Sequence, residues 1–176
     1  MAAGIVAIDE YKVRFAVAAV HVPVASAGMA RTRIKAELLP GQRALHLKKD
    51  LKHRGPELIA ATVAMAELGV YAEIHDAAGR RESDVHERQR CLCSIVERSR
   101  GTTELIIDRD ESEERRDHRT IVEARHRIDH RITYHHEHRN NEPLLWLADI
   151  VVGCYGRGGP LCRAIAPLIN EVILLH

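Results

Sequence analysis

Three aspartates interrupt the chain where it is otherwise apolar. Asp9 follows Ile5-Val6-Ala7-Ile8, Asp108 follows Leu105-Ile106-Ile107, and Asp149 stands inside the run Leu144 to Val152. A carboxylate in such surroundings is costly unless it meets a cation, a helix end or a metal, and otherwise it is driven toward its neutral form. A buried ion pair with Arg or His would satisfy it. Carboxylates from separate elements meeting at strand ends would instead make a hard, oxygen-rich site, suited to Mg²⁺ or Mn²⁺ rather than zinc. A pair of such ions can stabilise the attacking and leaving oxygens of an in-line phosphoryl displacement.

Other residues could serve that chemistry. Lys48, Lys49, Lys52 and Arg54 form a basic stretch able to hold a phosphate backbone, although each taken singly also reads as a solvated surface residue. His46, within Ala44-Leu45-His46-Leu47, lies beside that stretch and suits a proton shuttle or a phosphate contact. Asp110, after the Asp108 strand, and Asp76, closing another strand, are reserve ligands. Glu111 and Glu114 read better as the acidic first turn of the following helix. Of the twelve histidines, His126, His130, His135, His136 and His138 cluster in sequence. A zinc hydrolase site is conceivable there, but the interleaved arginines and glutamates read as a polar exterior.

The elements that must carry these residues follow from periodicity. Gly4 to Glu10 reads as a strand buried on both faces, hence central in a sheet. Val13 to Val22 reads as a second strand closing an antiparallel hairpin, with Pro23 ending it. Arg31 to Leu39 alternates weakly, as a third strand would, and Arg43 to Lys49 resembles a short edge strand. Pro56 suits the first turn of a helix that Gly69 closes. Strands are expected at 70–75, 102–107 and 132–137, with helices at 83–98, 112–128 and from Pro143. The apolar segment after Pro160 reads as a last helix, free to pack internally or against a second copy in a homo-oligomer.

Helices between the later strands imply parallel pairing, because each crossover needs a dozen or more residues. The expected architecture is a single α/β domain over residues 1–176: a mixed sheet with an antiparallel opening, parallel later strands and helices on both faces. That arrangement is what a ribonuclease-H-like fold looks like, and other α/β folds share parts of it. Ligands gather at the ends of central strands in such sheets.

Composition narrows the partners. With 26 Lys and Arg against 25 Asp and Glu, the chain is not a polycation built to coat nucleic acid. The balance is local, however: residues 31–54 hold eight Lys or Arg against Glu37 and Asp50. Aromatics at 3% leave little for base stacking, so a nucleic-acid partner would be met through its phosphates. No run approaches a membrane span, no cleavable apolar leader is visible, and the four cysteines lack zinc-knuckle spacing, so a cytoplasmic protein with reduced thiols is expected.

The opening Ile8-Asp9-Glu10, the element Leu45-His46, the strand Leu105-Ile106-Ile107-Asp108 and the helix Leu144-Leu145-Trp146-Leu147-Ala148-Asp149-Ile150-Val151-Val152-Gly153 together resemble the domain of unknown function 3800 family. The resemblance runs from Ile5 to about Gly153, and its Leu-Ala-Asp helix is the most specific part. It implies a ribonuclease-H-like fold with Asp9, Glu10, His46, Asp108 and Asp149 at the site. Two departures stand out. Tyr11-Lys12 replaces the family's Ser-Gly after the first acids, and Ala44 stands where the family tends to carry an acid before Leu-His. Loss of that acid implies fewer metal ligands or no catalysis at all.

The expectation is therefore a metal-dependent nuclease in which Asp9, Asp108 and Asp149 bind Mg²⁺ or Mn²⁺. Glu10 would bind in the outer shell or orient water, while His46 and the lysines would meet the phosphate. The alternative is a non-catalytic binding or assembly module on a degenerate form of the same fold.

Overall fold

The computed structural model describes residues 3–77, 79 and 82–176. Its first strand, β1 (Gly4–Tyr11), lies near the middle of a six-stranded sheet. After a turn the chain returns antiparallel as β2 (Ala16–Pro23), three residues later than the alternation from Val13 suggests. Val13 itself is in the turn and 76% exposed.

The strand expected over Arg31 to Leu39 does not form: residues 36–39 are irregular, and residues 24–35 are helix α1 (Val24–Lys35). Its buried stripe is Ala27, Ala30 and Ile34, mostly small residues, so its period of three to four leaves little hydropathy contrast. Nor does an edge strand form at 43–49. Leu45 is buried from an irregular segment, and Leu47 already begins α2 (Leu47–Val63). The Asp50 carboxylate accepts the backbone N–H of His46 (2.8 Å), which fastens the chain to the helix entry. Pro56 is inside α2 rather than at its start. A tight turn at 64–68 ends on Gly69 with φ of 77°, a left-handed position that a side chain would strain.

The remaining order is β3 (Tyr71–Asp76), α3 (Asp84–Arg98), β4 (Thr102–Asp108), α4 (Glu114–Arg125), β5 (Thr133–Glu137) and α5 (Leu144–Arg157). Ser83 caps α3 by accepting the His86 N–H, as its position suggests. The end of the chain differs from a single apolar helix. A short α6 (Gly159–Ile165) stops before Pro167, and the chain then becomes strand β6 (Ile169–Leu174) at the sheet edge. Apolar content alone does not separate a short helix plus strand from one helix.

The strand order is β5-β4-β1-β2-β3-β6. Pairings β1/β2 and β2/β3 are antiparallel, while β1/β4, β4/β5 and β3/β6 are parallel. Among the described residues, five strands thus run one way and only β2 runs back. This is the ribonuclease-H-like arrangement with one additional edge strand, β6. On one face, Ile5, Ala7, Ala18, Val20 and Ile106 pack with α1, α2 and α5. On the other, Val6, Ile8, Val17 and Ile107 pack with α3 and α4. Among the described residues no helix is long and apolar enough to cross a membrane.

Candidate functional site

Because β1, β3, β4 and β5 point the same way, their last residues share one edge of the sheet. The register places Ile8 beside Ile107 and Asp108 beside Glu137. Strand alternation then sorts the acids by face. Asp9 follows Ile5 and Ala7, and Asp108 follows Ile106, onto the α5 face. Glu10 follows Val6 and Ile8 onto the opposite face. The two adjacent carboxylates of β1 therefore diverge.

On the α5 face, Asp9, Asp108 and Asp149 converge on the Arg139 guanidinium, carried by the turn between β5 and α5. Arg139 Nη2 lies 3.2 Å from Asp9 Oδ2 and 2.5 Å from Asp108 Oδ2, while Nη1 is 3.9 Å from Asp149 Oδ2. Asp9 Oδ1 also accepts the Glu10 N–H (2.7 Å). The turn is anchored by Trp146, whose indole N–H donates to the Arg139 carbonyl (2.7 Å).

Asp149 has further partners. Its Oδ2 accepts the Leu47 N–H (2.7 Å) at the start of α2, where the helix dipole favours negative charge. His46 Nδ1 stands 3.3 Å from the same oxygen, at ion-pair distance but without hydrogen-bond alignment. Close approach of α2 to α5 makes this cap reachable, and Gly153 permits it. A Cβ there would lie 2.6 Å from Leu47 Cδ2 and 3.0 Å from Arg157 Nη1. Gly153→Ala is expected to cost about 1–3 kcal/mol through overpacking and to pull Leu47 off Asp149. Thermal denaturation and the amide exchange rate of Leu47 would read both effects.

The electrostatics are asymmetric. Burial, then the charges of Asp149 and Asp108, hold the Asp9 carboxyl well above the ordinary carboxylate range, against the opposing pull of Arg139 and the Glu10 N–H. Burial also raises Asp149, but His46, the Leu47 N–H and Arg139 outweigh it and hold that carboxyl below its ordinary value. Three carboxylates facing one monovalent cation remain under-compensated, and Asp9 carries most of the strain.

Glu10 belongs to a different network. Its Oε2 is 2.5 Å from Arg88 Nη1 on α3, and its Oε1 is 3.3 Å from Lys12. Arg88 also makes a two-pronged pair with Asp117 of α4 (2.8 Å at each oxygen), and His136 Nε2 of β5 completes it at 2.8 Å. Asp117 is 1% exposed, so this cluster ties four elements together beneath the sheet edge.

A cleft of about 630 Å³ opens over the edge, lined by both groups and by His46, Lys12, Lys48 and Asp110. Of the basic stretch, Lys48 reaches the cleft, and Lys49 and Lys52 are exposed on α2. Arg54 is instead paired with Glu37 (3.5 Å) and Glu57 (3.6 Å). Asp110 is occupied by Ser112, which donates through its N–H and hydroxyl (3.1 and 2.7 Å). Asp76 shares the sheet edge but not the site, being held by Arg14 (3.0 Å) and by the Tyr155 hydroxyl (2.5 Å). The clustered histidines disperse: His130 meets the Ser99 carbonyl, His135 meets Glu104, and His136 meets Asp117. Among the described residues no group of three or more His, Cys, Asp or Glu side chains is arranged to hold a metal ion. At the aspartates, the guanidinium occupies the space between the carboxylates.

Sequence reasoning missed Arg139, Arg88 and Asp117. Two of them left a signal. Arg88 precedes Leu92 and Ile95 by four and seven positions, and Asp117 precedes Ile121 and Ala124 in the same way. Each is a charge on the buried stripe of its helix, where only a partnered charge is tolerated. Arg139, in a turn, left none. No family model matches the chain, and no curated protein matches it.

Proposed function

We propose that the protein is a metal-dependent phosphodiester hydrolase acting on nucleic acid, with its site at the shared strand edge. The observation that carries this reading is the convergence of Asp9, Asp108 and Asp149, from β1, β4 and α5, on a single cation. Acids so far apart in sequence meet only when the fold brings them together, and their donor set is all oxygen, the chemistry of Mg²⁺ or Mn²⁺. The order of motifs resembling the domain of unknown function 3800 family supports it as well.

Asp9, Asp108 and Asp149 would hold the divalent ion. When bound, it would supply Lewis-acid stabilisation of the oxygens of a phosphoryl displacement. The chain's own groups do the rest. The α2 N-terminus fixes Asp149, so one ligand is set before substrate arrives. His46, beside Asp149 and open to the cleft, is placed to hold or pass a proton. Lys12 and Lys48, both exposed at the cleft, attract the phosphate backbone. Glu10, held by Arg88 on the other face, is a positioning residue for the end of β1 rather than a ligand beside Asp9.

Titration calorimetry with Mn²⁺ tests the reading. Wild-type protein is expected to bind, and Asp108→Asn to bind about tenfold or more weakly. Equal binding by both would remove these carboxylates from the site. Two observations favour the second reading, a non-catalytic module: Arg139 already supplies a counter-charge, and Ala44 stands in place of an acid. That reading predicts no carboxylate-dependent Mn²⁺ binding at all.

A further inference from the structure

The arrangement around Arg139 bears on how the proposed site is regulated, a role that rests on the metal-dependent reading of the three aspartates. The oxygens that a divalent ion would need are the ones Arg139 holds. Nη2 takes Oδ2 of both Asp9 and Asp108, and Nη1 faces Oδ2 of Asp149. A divalent ion placed among those three oxygens would fall where the guanidinium now lies, and both their charges and their volumes conflict. The clamp is also incomplete. Among the described residues Arg139 Nη1 is buried without a hydrogen-bond partner, so the bound arrangement leaves part of its desolvation cost uncompensated. The backbone, by contrast, is fixed: Trp146 holds the Arg139 carbonyl, and the Asn141 N–H donates to the His138 carbonyl (2.8 Å) across the turn. The side chain can therefore leave while its turn stays in place.

We propose that Arg139 is a built-in counter-cation that keeps the three aspartates together in the metal-free protein and is expelled when a divalent ion binds. Metal binding and the Arg139 clamp are then mutually exclusive, and the clamp sets the divalent concentration at which the site loads. The metal-free chain avoids the repulsion of three bare carboxylates. Loading is coupled to release of a guanidinium into the cleft that faces the phosphates.

Trp146, the only tryptophan, is held on the Arg139 backbone, which stays in place, so its emission reports the change of charge around it when the guanidinium gives way to a divalent ion. Mg²⁺ should be titrated into the full chain while calorimetry and tryptophan emission are followed together, for wild type, Arg139→Gln and Arg139→Gln/Asp108→Asn. Arg139→Gln is expected to bind Mg²⁺ about tenfold tighter than wild type. Its melting temperature should be lower without Mg²⁺ and should rise more on Mg²⁺ addition. Wild-type emission should shift with loading, and that of Arg139→Gln should shift far less. Affinity in Arg139→Gln equal to or weaker than wild type overturns the counter-cation proposal. The metal reading then still stands if the Asp108→Asn change abolishes binding. Absence of Mg²⁺ binding in both wild type and Arg139→Gln defeats the metal reading itself. Should Arg139→Gln fail to fold, Arg139→Lys keeps the charge but not the two-nitrogen reach. It should bind Mg²⁺ more tightly than wild type, and unchanged affinity overturns the proposal.

Discussion

Asp9→Asn should abolish divalent-dependent cleavage of DNA or RNA, by about 10³-fold or more, while leaving the fold intact and more heat-resistant in the absence of metal. On the proposed metal-dependent reading, the activity loss follows from replacing a charged carboxylate by an amide that carries no charge. The stability gain follows from linkage. Burial and the neighbouring Asp149 and Asp108 raise the native pKa of Asp9 above its unfolded value. A group raised in this way is fully accommodated only below its unfolded pKa, and its contribution is lost as pH rises through the native one. Above the unfolded carboxylate pKa, Asp9 therefore works against folding. Asparagine removes that cost, and Arg139 keeps Asp108 and Asp149 as partners. The expected gain is on the order of 1 kcal/mol, a few degrees in melting temperature, and shrinks as pH falls toward the unfolded carboxylate value. Cleavage assays with Mn²⁺, paired with thermal melts in chelator, measure both halves. Undiminished cleavage removes Asp9 from the mechanism, and a lower melting temperature would contradict the electrostatic account.

The larger stability effect is expected on the other face of the sheet. Arg88→Met should cost about 3–5 kcal/mol, because it strands Asp117 in the interior with only His136 beside it. The pH profile should change sign as well. In the native protein, burial raises the Asp117 carboxyl, but Arg88 and His136 together bring it below its ordinary value. Its contribution is present above the unfolded carboxylate pKa of about 4 and is lost as pH falls through the native value. Without Arg88, burial dominates and the native pKa rises. The variant should then lose stability as pH increases from 5 to 8, where the wild type does not. Denaturant titrations at those two pH values would show it. Parallel profiles for wild type and variant would mean that Asp117 is not governed by Arg88. Glu10, released from Arg88, should also let the end of β1 move, so a several-fold loss of cleavage should accompany the instability.

These two substitutions separate roles that adjacent residues of one strand do not reveal in sequence. Asp9 and Glu10 read as a pair, yet one serves the α5 face and the other the α3 face. In an extended strand each residue turns its side chain opposite to its neighbour's, so proximity in sequence guarantees separation in space.

Much was nonetheless written in the chain. The two-sided apolar run before Asp9, the helical period ahead of Arg98 and the helix beginning near Leu144 each carry strong local patterns, and each forms where the pattern puts it. Repeated helix-strand alternation implies the parallel pairings, and with the opening hairpin it implies the ribonuclease-H-like sheet. The three aspartates were legible too, as charges where apolar residues were expected. What sequence could not decide depends on partners brought from elsewhere. Residues 24–46 have small or irregular apolar spacing and take their structure from the sheet and α5 they pack upon. Ile169 to Leu174 becomes a strand because the edge of β3 is there to pair with. The counter-charge at the aspartates is Arg139, a turn residue with no periodic mark, which finds them only because β4, β5 and α5 end at the same edge. Local patterns set the elements, since they depend on near neighbours. The identity of a buried charge's partner is a long-range property, and only the assembled sheet determines it.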